Sequence, residues 1–584
     1  MKLQSALTIS IITLFAIQSA QAQKDENIGT QVVNVVKPYT PTISDAFKVK
    51  ETPTLDDDEN TKKEEITYNI FSFPVASTFA PAKGRAATVD KEKQLELYDN
   101  YATLGLGNYG TVIGELFVTR EVGESGFVGG MFRHISSEGG IDGVLLEDGF
   151  RDTSLDLIYG SNTNELSWNA NLGYQNQAYN WYGLPEFFGS TFVEEDRDAM
   201  IGAIDPKHAY HNLNVGTNFE FTDAIVSEVG AKFNRFWDSY GAEENRFFIK
   251  PKFAFEINDT RIKTDVIVDY VGGSFDQDLI GIPTASYGFT NIGIHPSFNM
   301  VRDDWSIDFG VAAFYSMDME NSDNKFFIYP QINASLNVVG DLMIFYAGAE
   351  GTLQQNSYRD FTNINPFLTP GIAVAPTDRQ YDVFAGLKGK LAGSVSYNIR
   401  GSFASEQNRA LFKSTPYFEQ LGNENFGYGN SFGIAYDEMT TLSFFGELKA
   451  DFSKTVSFGI DATFSDYSVD SEQEAWNLPA IRVGSSVDVN ITPKWYAGAN
   501  LFYIGERKDA RFMQSTDAAV MLNPVTQTID GYFDLNAHVG YKYNDRLTAF
   551  VRLQNIANQD YQRWLDYQVQ GFQAILGASY KFDF

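Results

Sequence analysis

The 584-residue sequence contains no cysteine, only five histidines and, after its first 22 residues, no apolar run long enough for a membrane helix. The lack of cysteine excludes disulfides and thiolate chemistry. Because a membrane helix needs about 20 apolar residues, any span in this chain must be built from strands. Basic residues are also scarce: 44 against 75 acidic residues give a net charge of −31, which argues against nucleic acid as a partner.

The N-terminus has the composition of a secretory signal. Lys2 precedes an apolar run over residues 7–17, and a small-residue site, Ala20-Gln21-Ala22, follows. We therefore expect a signal peptide over 1–22. Residues 23–92 are interrupted by prolines and carry an acidic run, which predicts an extended periplasmic or lumenal segment.

Residues 93–584 are dominated by two-residue alternation and are rich in aromatics, which make up 15% of the whole chain. Leu213, Val215 and Phe219 share one face of a strand, while Asn214 and Asn218 share the other. Apolar and polar faces that alternate over about ten residues are typical of strands with lipid on one side and water on the other. The predicted fold is all-β, a large antiparallel transmembrane β-barrel in the outer membrane.

Tight turns separate these predicted strands in pairs. Ten turns joining two strands each, together with a first and a last strand, predict about 22 strands, with 16–24 as the range, and the turns facing the periplasm. Longer connections lie between them and are expected to be extracellular. The turns are Gly123-Glu124, Asn162-Thr163, Thr222-Asp223, Asn258-Asp259, Asp303-Asp304, Gly340-Asp341, Ala392-Gly393, Ser453-Lys454, Thr492-Pro493 and Asn544-Asp545; the long connections are 138–150, 181–206, 273–284, 356–377, 408–427, 508–526 and 557–568.

The C-terminus predicts the strand that closes the barrel. Apolar residues alternate up to a terminal aromatic, with Tyr580, Phe582 and Phe584 on one face, a pattern we interpret as the barrel-closing signal. The preceding stretch from Leu553 to Tyr561 (LQNIANQDY), followed by Gly571, resembles the end of TonB-dependent receptors, and the general texture resembles members from Bacteroidetes. The resemblance implies ligand uptake across the outer membrane with a periplasmic energy-coupling partner.

The sequence departs from that family at its other end. Family members carry a plug of well over 100 residues between signal and barrel, whereas only residues 23–92 are present here, so a full plug is not expected. The run Thr30–Val36 could be an energy-coupling strand or a simple linker. Three functions therefore stay open: a receptor or transporter for a nutrient or ligand, a plug-less structural or assembly subunit of a larger outer-membrane complex, and a passive porin. Expected partners are outer-membrane lipid, the barrel-assembly machinery, and either the energy-coupling protein or a complex partner.

Little in the sequence points to catalysis or metal binding. His208 and His211 lie three apart on a strand and so face opposite ways, and no nucleophile and base are brought together. We expect no enzyme, no cofactor and no metal site. The best candidate for ligand contact is an aromatic loop, Trp181, Tyr182, Phe187 and Phe188, although an interfacial aromatic girdle would have the same composition.

Overall fold

The computed structural model of the chain describes residues 98–584, except 187, 190–192, 258–259, 277–285, 418–424, 454 and 513–523. The chain divides into two units, 1–91 and 92–584. The signal peptide, the segment 23–92, the run Thr30–Val36 and the question of the plug lie outside the described residues, and those predictions stay predictions.

The second unit is a closed antiparallel barrel of 22 strands, which confirms the predicted fold class. Its strands are β1 (Asn100–Gly107), β2 (Val112–Val122), β3 (Gly126–Ser137), β4 (Phe150–Asn162), β5 (Leu166–Asn180), β6 (Lys207–Phe221), β7 (Val226–Asp238), β8 (Glu243–Ile257), β9 (Thr260–Ser274), β10 (Tyr287–Val301), β11 (Trp305–Asp318), β12 (Asn324–Val339), β13 (Met343–Gln354), β14 (Thr377–Ala392), β15 (Val395–Ser414), β16 (Phe432–Ser453), β17 (Val456–Val469), β18 (Ile481–Asn490), β19 (Trp495–Ile504), β22 (Tyr532–Lys542), β23 (Leu547–Gln554) and β26 (Gln573–Phe582).

Four short strands and two helices lie in the connections. They are β20 (Arg507–Arg511), β21 (Val525–Ile529), β24 (Gln562–Trp564), β25 (Tyr567–Gln568), α1 (Glu194–Ala203) and α2 (Tyr358–Ile364). Among the described residues no helix has the length and apolar character needed to cross a membrane. Every predicted tight turn joins two neighbouring barrel strands, and the seven predicted long connections leave the opposite end. We call that end the loop-side mouth.

One connection begins later than its sequence predicts. Residues 408–414 were expected to be loop, but β15 continues to Ser414 and pairs with β16 after a register shift between Glu406 and Arg409. Asn408 has a φ of 55° there, and the shift breaks the two-residue alternation on which the sequence prediction depends.

The last strand closes the barrel by pairing with the first. β26 runs antiparallel to β1 from Asn100 opposite Phe582 to Gly107 opposite Ile575, and on its other edge it pairs with β23. No barrel strand is therefore left with an open edge, as a membrane barrel requires.

The two faces of the barrel differ as the alternation predicts. Leu155, Leu157 and Val215 point outward and are exposed, while Asn214 and Asn218 point into the lumen on the alternate positions. Ion pairs also lie in the lumen, including Lys250 with Asp265 at 2.9 Å, Lys252 with Glu228 at 2.6 Å and Arg400 with Asp382 at 3.1 Å. An apolar outer surface around a polar lumen is the structure of an outer-membrane barrel.

Candidate functional site

Connections from around the barrel pack against one another across the loop-side mouth. The largest buried apolar cluster contains Tyr358 and Leu368 from the β13–β14 connection and Trp564 and Tyr567 from the β23–β26 connection, together with inward residues of β6–β10. We call this assembly the loop layer. Because its members come from opposite sides of the barrel, it lies over the lumen.

Helix α2 fixes one side of the loop layer to the barrel wall. The Glu244 carboxylate, only 2% exposed, accepts hydrogen bonds from the Tyr287 hydroxyl at 2.5 Å and from the backbone N–H groups of Tyr358 at 2.6 Å and Arg359 at 3.4 Å. The acceptor lies at the helix N-terminus, where backbone N–H groups have no partner within the helix. The Tyr358 hydroxyl donates to Asp238 at 3.0 Å.

A guanidinium completes this anchor. Arg246 donates to both oxygens of Asp269 at 2.9 and 2.7 Å and to Asp360 of α2 at 2.8 Å. One cation thus joins the barrel wall to the helix, and the bidentate contact fixes its orientation.

The segment from Tyr561 to Gln568, which contains β24 and β25, forms the other side of the layer. The Tyr567 ring stacks on Phe367 at 3.8 Å, and its hydroxyl donates to the Asn430 carbonyl at 2.5 Å. Arg507 of β20 donates to the carbonyls of Gln562 and Arg563 at 2.7 and 2.5 Å. Packing and a buried guanidinium therefore hold this segment in place.

A fully buried carboxylate supports the same region from the β19–β22 connection. Asp509 accepts hydrogen bonds from the backbone N–H of Ser414 and of Ala510 and from the Asn477 amide. Burial nevertheless dominates and raises the pKa of Asp509 to about 6, because a charge removed from water is destabilised.

The aromatic loop proposed for ligand contact is divided by the structure. Trp181 is 1% exposed and stacks on His208 at 4.0 Å, and Phe188 is 3% exposed, packed against Tyr417 and Tyr428. Both are buried by packing at the loop-side mouth and offer no surface to a ligand in this conformation. Phe187 lies outside the described residues. Tyr182 lines two cavities, so the prediction of ligand contact now depends on this residue.

Two cavities flank the loop layer and share Tyr182 and Tyr561 as wall residues. The first, about 550 Å³, is bounded partly by inward strand residues such as Asp152, Asn536 and Gln573 and therefore opens to the lumen. We call it the lumenal cavity. The second, about 570 Å³, is lined entirely from the connections, including Arg197, Asp530 and Asp560, and we call it the outer vestibule.

His208 and His211 lie on opposite faces of β6, and the C-terminal aromatics Tyr580 and Phe582 lie on β26. His208 points into the barrel, where its Nε2 lies 2.8 Å from the Pro366 carbonyl, whereas His211 faces outward against Trp237. No group of three His, Cys, Asp or Glu side chains within the described ranges could hold a metal ion. Tyr580 and Phe582 stack on the outer face of β26, and Phe584 follows with its ring exposed; their role as an assembly signal stays a prediction.

Sequence reasoning missed the anchors of the loop layer. In the sequence, Glu244 and Arg246 are only polar positions of an alternating strand. The aromatic content of 356–377 and 557–568 was the available signal, because exposed extracellular loops do not need buried rings such as Phe361 and Trp564.

Comparisons with known proteins rest on structure alone. No known family profile and no curated protein matches the sequence. Solved structures do match: the FrpB iron transporter from Neisseria meningitidis (12% identity, 83% of this chain and 82% of that chain, TM-score 0.62), the siderophore receptor PirA from Acinetobacter baumannii (11%, 84% and 81%, 0.61) and the copper transporter OprC (11%, 84% and 82%, 0.59). The barrel shares the fold of these outer-membrane receptors and transporters, as the resemblance of the C-terminal sequence to TonB-dependent receptors predicts, and none of these neighbours is described as an enzyme.

Proposed function

We propose that this chain is an outer-membrane importer, which captures a nutrient or other ligand in the outer vestibule and passes it through the loop layer to the lumen. The observation that carries this proposal is the pair of cavities separated by Tyr182 and Tyr561. A cavity on each side of a packed layer provides successive binding positions along one path.

The loop layer favours this function over a passive porin. A porin conducts through a water-filled lumen, whereas here buried rings such as Tyr358, Leu368 and Tyr567 lie over the lumen. Passage of a solute then needs a rearrangement of the layer, and such gated passage is a property of transporters. The neighbouring structures, described as iron, siderophore and copper transporters or receptors, agree with import as the class.

Uptake by living cells tests the proposal. A deletion strain and the complemented strain are compared for accumulation of labelled ferric complexes, short glycans, cobalamins and dipeptides, with and without a protonophore. We expect one solute class to accumulate only when the chain is present and the cells are energised. Equal accumulation in both strains for every solute would overturn the proposal.

Energy coupling is tested in the same cells. Deletion of residues 30–36 removes the candidate coupling strand, and deletion of 54–60 is a control of equal length from the same segment. If the strand pairs with a periplasmic partner, only the first deletion abolishes energised accumulation. If the chain is instead an assembly subunit, neither deletion alters uptake, and gentle detergent extraction recovers the barrel with a stoichiometric outer-membrane partner.

A further inference from the structure

The wall of the lumenal cavity contains polar groups without partners. Asn180 is 6% exposed and donates through Nδ2 to the Gly149 carbonyl at 2.6 Å, but its Oδ1 accepts no hydrogen bond from any described residue. Asp534, whose carboxylate lies beside the Tyr561 hydroxyl, likewise has an Oδ1 that lacks a partner within the described part of the chain. An unpaired buried acceptor is destabilising, and a donor supplied by a ligand would remove that destabilisation.

The cavity also offers unused donors. Arg563 lines it with an exposed side chain that forms no ion pair or hydrogen bond with the described residues; only its backbone carbonyl is engaged, by Arg507. A guanidinium has five N–H donors. The free groups of the site are therefore acceptors and donors together, and a hydroxyl, which donates and accepts through one oxygen, pairs with both.

The other acidic groups of the cavity are already occupied. Asp148 accepts from the backbone N–H groups of Gly140 and Ile141 at 3.0 and 2.8 Å, and Asp152 accepts from the Gln175 and Gln177 amides at 3.0–3.1 Å. Their charges, with that of Asp534, outnumber the one guanidinium of Arg563 and disfavour an anionic ligand. Because their oxygens are hydrogen-bonded, they do not form a free acidic cluster for a cation.

Aromatic side chains form the apolar part of the same wall, with Tyr179, Tyr182 and Trp564 among them. Such rings pack against C–H surfaces and present polar tips beside them. The volume of about 550 Å³ falls within the roughly 300–1,000 Å³ of small-molecule sites.

We infer that the lumenal cavity is a binding site for an uncharged, hydroxyl-rich ligand with an apolar C–H face, a short neutral oligosaccharide. Asp534, Asn180 and Arg563 form the polar contacts, and the Tyr182 and Trp564 rings form the apolar wall. Asp534 presents either oxygen to the ligand by rotation about χ2, a soft torsion. The inference rests on the proposed import function and gives it a substrate class and a position below the loop layer.

Binding to the purified full-length chain tests the inference by titration calorimetry in a sugar-free zwitterionic detergent. The probes are maltose, cellobiose, lactose, xylobiose and chitobiose, with digalacturonate, spermidine and the dipeptide Ala-Ala as charged or zwitterionic comparisons. The variant Asp534→Ala/Arg563→Ala removes free groups from the cavity. The control Asp461→Ala/Arg482→Ala removes an exposed acid and an exposed base from the lumenal face of β17 and β18, outside the cavity.

We expect saturable binding of at least one neutral disaccharide, weakened about tenfold or more by the cavity variant and less than about twofold by the control, as the loss of one or two paired hydrogen bonds implies. Binding of none of the neutral disaccharides, binding of charged probes only, or equal weakening by both variants would overturn the inference. Energised uptake of another solute class by the same cells would leave the import proposal standing, so the two failures are distinguishable.

Discussion

Replacing Glu244 by Gln should release the loop layer from the barrel wall. The carboxylate accepts three hydrogen bonds, from the Tyr287 hydroxyl and from the first two N–H groups of α2. A Gln side chain keeps one oxygen and places an NH₂ group against donors, so one or two charge-assisted bonds are lost. Each such bond contributes about 1.5–3 kcal/mol, so the free energy of local opening falls by about 3 kcal/mol. The equilibrium constant for opening then rises roughly 100-fold.

Amide hydrogen exchange over residues 358–364 measures this effect. The matched control is Glu243→Gln, because Glu243 is the neighbour of Glu244 on β8 but pairs with Arg235 at an exposed site with 48% side-chain exposure, where an ion pair contributes little. We expect exchange in α2 to accelerate roughly 100-fold in the first variant and to be nearly unchanged in the second. Unchanged exchange in both variants would refute the role of Glu244 as the anchor.

Two further predictions concern the β20–β21 hairpin and barrel closure. Folding raises the pKa of Asp509 from 3.8 to about 6, so the folded hairpin loses stability as the pH rises through that interval. Protection of the hairpin amides, corrected for intrinsic exchange, should therefore decrease by about 3 kcal/mol between pH 4 and 7. Asp509→Asn should remove this dependence, and constant protection in the wild type would contradict it. A Cβ atom at Gly577 would lie 2.6 Å from the Leu104 carbonyl in the seam of β1 and β26. Gly577→Val should therefore abolish the heat-modifiable folded band on electrophoresis. The control Gly446→Val has open space around its Cβ position and should retain that band. Equal folding of both valine variants would count against closure at this seam.

The barrel was predictable because its determinants are local. The period-two pattern of each strand shows which residues face outward and which face the lumen, as for Leu213 and Asn214, and each tight turn depends on two or three residues. The same reasoning gave the strand number and the pairing of the last strand with the first. It was wrong where a bulge interrupts the period, at the register shift between Glu406 and Arg409, since an inserted residue reverses the apparent faces of everything after it.

The loop layer was not predictable because its determinants are distant in the chain. Glu243 and Glu244 are identical in type and adjacent in sequence, yet one lies at the surface in an ion pair and the other is buried against Tyr358, 114 positions away. Their difference comes from which of them faces the lumen and from what the β13–β14 connection places there. Aromatic loops have the same ambiguity, because Trp181 and Tyr182 are neighbours and both were expected to contact a ligand. Trp181 is enclosed by His208 and Phe426. Tyr182 borders both cavities. Residue type therefore identifies a loop that can bind or pack, and only the contacts across the mouth decide which side chain of that loop is left to meet a ligand.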